Sequence, residues 1–121
     1  MHSGGSKILV IDDEAEIRNA LSRFLMKNGF EVFMAGTLLE GKKAVSLEKP
    51  ELVFLDVNLP DGNGLTALKN ILEQSQESKF VVMSAFDHDE ARQKAISLGA
   101  KEFLSKPFNI QQLNQIVQTY L

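Results

Sequence analysis

Five short apolar runs, each followed by a polar turn and then a stretch with helical spacing, restrict this chain more than any other feature. They are Lys7-Ile8-Leu9-Val10-Ile11, Glu31-Val32-Phe33-Met34-Ala35, Glu51 to Leu55, Lys79-Phe80-Val81-Val82-Met83 and Glu102-Phe103-Leu104. Continuous runs of β-branched and aromatic residues read as strands buried on both faces, as in parallel sheets. Between them Ile17, Leu21, Phe24 and Leu25 fall on one helical face, and that helix closes before Gly29. Thr37-x-x-Glu40 has the capping-box pattern and opens a helix that ends by Pro50. Leu65, Leu68, Ile71 and Leu72 mark a third helix, and Asp87 to Leu98 a fourth, with acidic residues in its first turn and Gly99 after it. Asn109 caps a fifth, with Ile110, Leu113, Ile116, Val117 and Tyr120 on one side. Strict alternation of strand and helix implies an α/β fold: a (βα)5, doubly wound, three-layer sandwich around a parallel five-stranded sheet.

Composition narrows the classes that such a fold could serve. The 121 residues are 44% hydrophobic and 24% charged, the balance of one ordered domain. A formal charge of −3 gives no electrostatic case for direct nucleic-acid binding by this domain. The chain has no cysteine, which excludes disulfides, thiol catalysis and cysteine-ligated metal and fits a reducing compartment. No apolar run approaches the roughly 20 residues of a membrane-spanning helix. Residues 1–6, polar and glycine-rich, read as an expression leader, leaving 7–121 as the domain.

In a parallel sheet every strand delivers its C-terminal end to the same edge, where ligands bind in open α/β folds. Asp12 and Asp13 follow the first run, Asp56 the third, Ser84 the fourth, and Lys106 lies just past the fifth. Asp56 alone reads as a turn residue before Pro60 and Asp61-Gly62-Asn63-Gly64, and Asp12 and Asp13 alone as helix caps. Together they differ. Two carboxylates about 4 Å apart repel by roughly 4 kcal/mol at an effective dielectric near 20. A third requires protons or cations, and one lysine supplies a single positive charge. A hard divalent cation complements such a site, and few carboxylates plus waters suit Mg²⁺. Carboxylates can attack phosphorus, and Mg²⁺ with lysine stabilises the charge on a transferring phosphoryl group. The rim therefore has the parts of an aspartyl-phosphate site. His88 is the only histidine outside the leader, so zinc and serine-hydrolase chemistry are disfavoured.

Four separated motifs now carry a resemblance: Ile8-Leu9-Val10-Ile11-Asp12-Asp13-Glu14, Leu55-Asp56-Val57-Asn58-Leu59-Pro60-Asp61-Gly62-Asn63-Gly64, Met83-Ser84-Ala85, and Gly99 to Phe108 through Lys106-Pro107. In order and spacing they resemble the receiver domain of bacterial two-component response regulators, over about residues 7 to 121. The resemblance implies a flavodoxin-like strand order, 2-1-3-4-5. It makes Asp56 the phosphoacceptor from a sensor histidine kinase or phosphotransfer protein. Mg²⁺ is then bound by Asp13 and Asp56 with the main-chain carbonyl of Asn58, Asp12 acting mostly through water. Lys106 pairs with phosphoryl oxygens, Ser84 reports on them, and Phe103 takes the place of the mobile aromatic, where a plain core residue of a short strand reads equally well. The Lys106-Pro107 bond matches a position that is usually cis. Ser84 stands where threonine is commoner, and Asn58 and Phe86 where the family tunes phosphoryl lifetime. The resemblance further implies a cytoplasmic signalling switch rather than a turnover enzyme. Its output face is the fourth helix, fifth strand and fifth helix, a possible homodimer surface, with Arg92, Lys101, Glu102 and Gln111 as exposed candidates.

Three readings compete with it. A Mg²⁺-dependent phosphatase of the haloacid-dehalogenase type needs a second acid two residues after its nucleophile, and Asn58 cannot serve. A flavin binder would meet an acidic loop after Ile11 where phosphate needs donors. A receiver that binds its partner without phosphorylation is the third, and a phosphodonor assay separates it.

Overall fold

The computed structural model describes residues 6–86 and 89–121. Among these residues seven strands and five helices follow one another: β1 (Lys7–Ile11), α1 (Ala15–Lys27), β2 (Glu31–Ala35), α2 (Leu38–Glu48), β3 (Leu52–Asp56), β4 (Asn58–Leu59), β5 (Gly62–Asn63), α3 (Gly64–Gln74), β6 (Lys79–Ser84), α4 (Asp89–Ser97), β7 (Glu102–Ser105) and α5 (Ile110–Tyr120). The main sheet is parallel, ordered β2-β1-β3-β6-β7. With the two-residue strands β4 and β5 set aside as a separate antiparallel hairpin, this is the expected 2-1-3-4-5. No helix among the described residues is long and apolar enough to cross a membrane.

Alternation along the strands divides the core between two layers of helices. Leu9, Ile11, Val53, Leu55, Phe80, Val82 and Phe103 face α2, α3 and α4, where Val45, Leu68, Ile71 and Ala95 meet them. Ile8, Val10, Leu52, Phe54, Val81, Met83 and Leu104 face α1 and α5, against Leu21, Leu25, Leu113, Ile116 and Val117. Every residue of β3 is buried, as a central strand covered on both faces requires.

The helix ends explain where the chain turns. α1 and α4 both close in the same left-handed turn. Gly29 donates to the carbonyl of Met26 and Phe30 to Leu25, while Gly99 donates to Ile96 and Ala100 to Ala95. The glycine φ values of 91° and 113° show why glycine is needed at these two points. The capping box expected at Thr37 is only half formed. Thr37 accepts from the Glu40 amide, but the Glu40 carboxylate takes the amide of Gly36 instead. The reciprocal box stands at Asn109 and Gln112. The fourth helix begins, among the described residues, at Asp89, so Asp87 and His88 lie outside them. At the other end of the chain, Ser6 is buried and its carbonyl accepts from Glu31, carrying the β1–β2 ladder one residue into the stretch read as a leader.

Candidate functional site

β1 and β3 are neighbours, so their C-terminal residues emerge side by side. Asp56 is the last residue of β3, paired with Met83, rather than the first of a loop. Asp12 continues β1, its amide donating to Ala35 at 3.0 Å. One carboxylate oxygen from each of Asp12, Asp13 and Asp56 lies within 4.8 Å of the others. Asp12 is fully buried, Asp56 nearly so, and Asp13 is exposed. The cluster thus has two walls and one face open to solvent.

Lys106 reaches this cluster from just beyond β7. Its Nζ lies 2.8 Å from Asp12 Oδ2 and 3.1 Å from Asp56 Oδ1. Glu14, which the sequence reading left out, lies 3.4 Å from the same ammonium. Burial pushes the Asp56 carboxyl up from 3.8 to about 6, and the Asp12 charge adds to it against the pull of Lys106. Burial opposes the charge of Lys106 as well, but its hydrogen bond to Asp12 and the Asp56 and Asp12 charges raise its pKa overall. One cation is shared among several anions, so the site retains an excess of negative charge.

Local bonding holds these groups in place. Asp12 Oδ1 accepts from the Glu14 amide at 2.9 Å, an Asx turn leading into α1. Arg18 Nη1 donates to the Asp12 carbonyl at 2.7 Å and fastens the turn from the first helix. Behind Asp56, the Gly64 amide donates to Val57 at 2.7 Å. A Cβ on Gly64 would sit 2.3 Å from the Asp56 carbonyl oxygen, so only glycine allows the loop to close there. Neither Arg18 nor Gly64 was singled out for the site, because their roles depend on backbone atoms that sequence patterns do not display.

The other expected residues are more dispersed. Ser84 ends β6, buried beside Asp56's partner Met83, and its Oγ accepts from the exposed Phe86 amide at 3.0 Å. Its carbonyl accepts from the Lys106 amide at 2.8 Å, tying β6 to the lysine. The Lys106-Pro107 bond is cis. Asn58 is exposed in the hairpin, paired with Asn63. Phe103 is buried under α4, with the Arg92 guanidinium 5.1 Å from its ring centroid. Arg92 also donates to Ser105 Oγ at 2.9 Å, and Glu102 accepts from the Tyr120 hydroxyl at 2.8 Å. Those two are therefore half-buried and engaged, not exposed as expected; Lys101 and Gln111 are exposed.

The three carboxylates fit a hard cation. They offer hard oxygen donors, gathered within 4.8 Å of one another and open to solvent on the Asp13 side, as a cation that keeps some of its waters requires. A doubly wound, flavodoxin-like sheet with such a rim, backed by a lysine, has the donor set that an aspartyl-phosphate site needs. The chain belongs to the response regulator receiver domain family, whose model matches residues 8–118. It is 32% identical over 115 residues to sporulation initiation phosphotransferase F of Bacillus subtilis, covering 95% of this chain and 93% of that protein. The crystal structure of a two-component response regulator from Clostridium difficile superposes with a TM-score of 0.91 at 29% identity, covering 95% and 94% of the two chains. The solution structure of the beryllofluoride-activated NtrC4 receiver domain dimer gives a TM-score of 0.87 at 35% identity, covering 94% and 95%. The chain is thus a receiver domain, a phosphorylation-dependent switch by family.

Proposed function

We propose that Asp56 is the residue at which this switch is phosphorylated, by a sensor histidine kinase or a phosphotransfer protein. The observation that carries this reading is the burial of Asp56 at the end of β3, within 4.8 Å of Asp12 and Asp13 oxygens and 3.1 Å from Lys106. The ionised carboxylate attacks phosphorus; a P–O bond forms, the P–N bond to the donor imidazole breaks, and the imidazole leaves with a proton. Asp13 and Asp56, with the Asn58 carbonyl, would hold Mg²⁺, and Asp12 would act through water. Bound there, Mg²⁺ supplies charge neutralisation for the phosphoryl oxygens. Lys106 exchanges its Asp56 contact for a phosphoryl oxygen.

Ser84 then turns its hydroxyl from the Phe86 amide to the phosphoryl group, and Phe103 with α4 adjusts. The α4, β7 and α5 face is the output surface, for a downstream partner or a second copy of the chain. Inverting a 1:99 population requires about 5.5 kcal/mol of preference, which a few charge-assisted hydrogen bonds can supply. The domain turns over only its own phosphoryl group. Incubation with acetyl phosphate and Mg²⁺ should add one phosphate by mass. Labelling that persists in Asp56→Asn would move the acceptor elsewhere.

A further inference from the structure

One exposed side chain crosses between two of the loops at the rim. Asp61 stands at the tip of the β4–β5 hairpin, the segment that carries Asn58. Its carboxylate accepts from two consecutive amides of α2, Leu38 N to Oδ1 at 2.7 Å and Leu39 N to Oδ2 at 3.0 Å. These bonds span 23 and 22 residues of sequence. α2 also has a cap of its own, since Thr37 Oγ1 accepts from Glu40 at 3.1 Å and the Thr37 carbonyl from Gly41 at 3.0 Å. Asp61 therefore supplies acceptors for the two amide donors, Leu38 and Leu39, that Thr37 leaves open, in a two-point, charge-assisted contact at the positive end of the helix dipole.

The hairpin is seated on α2 as well as bonded to it. Gly62 has φ 154°, and a Cβ there would lie 2.8 Å from Leu38 Cδ1. The hairpin is also bonded within itself and to α3. Asn58 pairs with Asn63 and Leu59 with Gly62, while Asn63 Oδ1 caps α3 through Leu65 and Thr66. A displacement that brings the Asn58 backbone toward an ion therefore pulls on the first turn of α2.

We infer that Asp61 is a positioning residue that couples the Asn58 hairpin to the N-terminus of α2, so that occupancy of the acidic site is registered at α2. This helix packs on β1 and β2, at the opposite edge of the sheet from β7. The state of the site would thus reach a second surface, remote from the α4, β7 and α5 face. The inference rests on the assignment of the acidic cluster as the cation and phosphoryl site. Binding linkage is reciprocal, so a tether that transmits occupancy outward also contributes to affinity.

The test compares wild type with Asp61→Ala, Asp61→Asn and Thr37→Ala. Each is titrated with Mg²⁺ and then beryllofluoride, while NMR follows amide exchange at Leu38 and Leu39. In wild type both ligands should slow exchange at these amides. Asp61→Ala should abolish that response and raise the Mg²⁺ dissociation constant about fivefold or more. Asp61→Asn, which keeps one acceptor oxygen, should fall between. Thr37→Ala weakens the same helix without touching the hairpin and should keep wild-type Mg²⁺ affinity. Equal losses in Asp61→Ala and Thr37→Ala, or no loss in Asp61→Ala, would overturn the coupling. A wild type that binds both ligands with Leu38 and Leu39 unresponsive overturns the coupling alone; one that binds neither removes the site assignment and the coupling together.

Discussion

The two ends of the central strand β3 each carry a buried polar cluster, and the two are built in contrasting ways. Beside the Leu52 end, the Ser75 and Ser78 hydroxyls lie 2.7 Å apart and Ser78 donates to the carbonyl of Pro50. All of these groups are neutral. At the Asp56 end, Asp12, Asp56 and Glu14 share one ammonium, with the Asp13 carboxylate beside them. No buried side-chain polar atom among the described residues lacks a hydrogen-bond partner, so satisfaction does not distinguish the two ends. Charge balance does. A neutral closed network fastens a turn, whereas a hydrogen-bonded cluster with excess charge still has affinity to offer a cation or a phosphoryl group.

The most drastic way to break the contrast is Asp56→Asn, which should abolish labelling by acetyl phosphate, measured by intact mass, while Ser78→Ala leaves it unchanged. The same Asp56→Asn variant should be more stable than wild type in metal-free buffer. The folded pKa of Asp56, about 6, exceeds its unfolded value of 3.8, so the native state holds the proton more tightly between them. Its contribution to stability is therefore greatest below about pH 4 and is lost as pH rises through 6. Denaturation at pH 7.5 should show the variant ahead by about 3 kcal/mol, and at pH 4 the advantage should vanish. Saturating Mg²⁺ should narrow the gap by stabilising wild type alone, about 2.7 kcal/mol at 100 times its dissociation constant.

Ser78→Ala probes the neutral end. Losing its bonds to Ser75 and Pro50 should cost about 1–3 kcal/mol in urea melts. That loss should be the same at pH 5 and pH 8, because the hydroxyls and the carbonyl that bond there carry no charge. The smallest effect belongs to Glu14→Gln. Its contact with Lys106 is exposed, and thermal melts should move by no more than about 0.5 kcal/mol equivalent.

The same division separates what the sequence displayed from what it concealed. Asp12, Asp13, Asp56, Ser84 and Lys106 could be brought to one rim on paper because parallel strands all point the same way. The strand ends were also visible in the abrupt change from apolar to polar residues. Polar contacts between loops follow no such period. Asp61 is an ordinary turn residue until the hairpin is placed beside α2, and Arg18 is an ordinary helix-surface cation until the Asp12 carbonyl is placed beneath it. Thr37-x-x-Glu40 shows the converse error. The pattern permits a capping box, but the Gly36 amide competes for the glutamate and wins it. Arg92 and Glu102 looked like free surface for a related reason: long polar side chains fold back onto Phe103, Ser105 and Tyr120.

Gly64 has a consequence for how this domain can change over generations. With the Asp56 carbonyl oxygen 2.3 Å from where a Cβ would be, any side chain at this position must displace the backbone of Asp56 itself. In a saturation library selected for signalling, position 64 should thus be as intolerant as the acidic residues, although it contributes no functional group. Its neighbour Leu65, half-buried against the margin of the core, should drift among apolar residues. The domain's inheritance is guarded at this point by an absence of atoms.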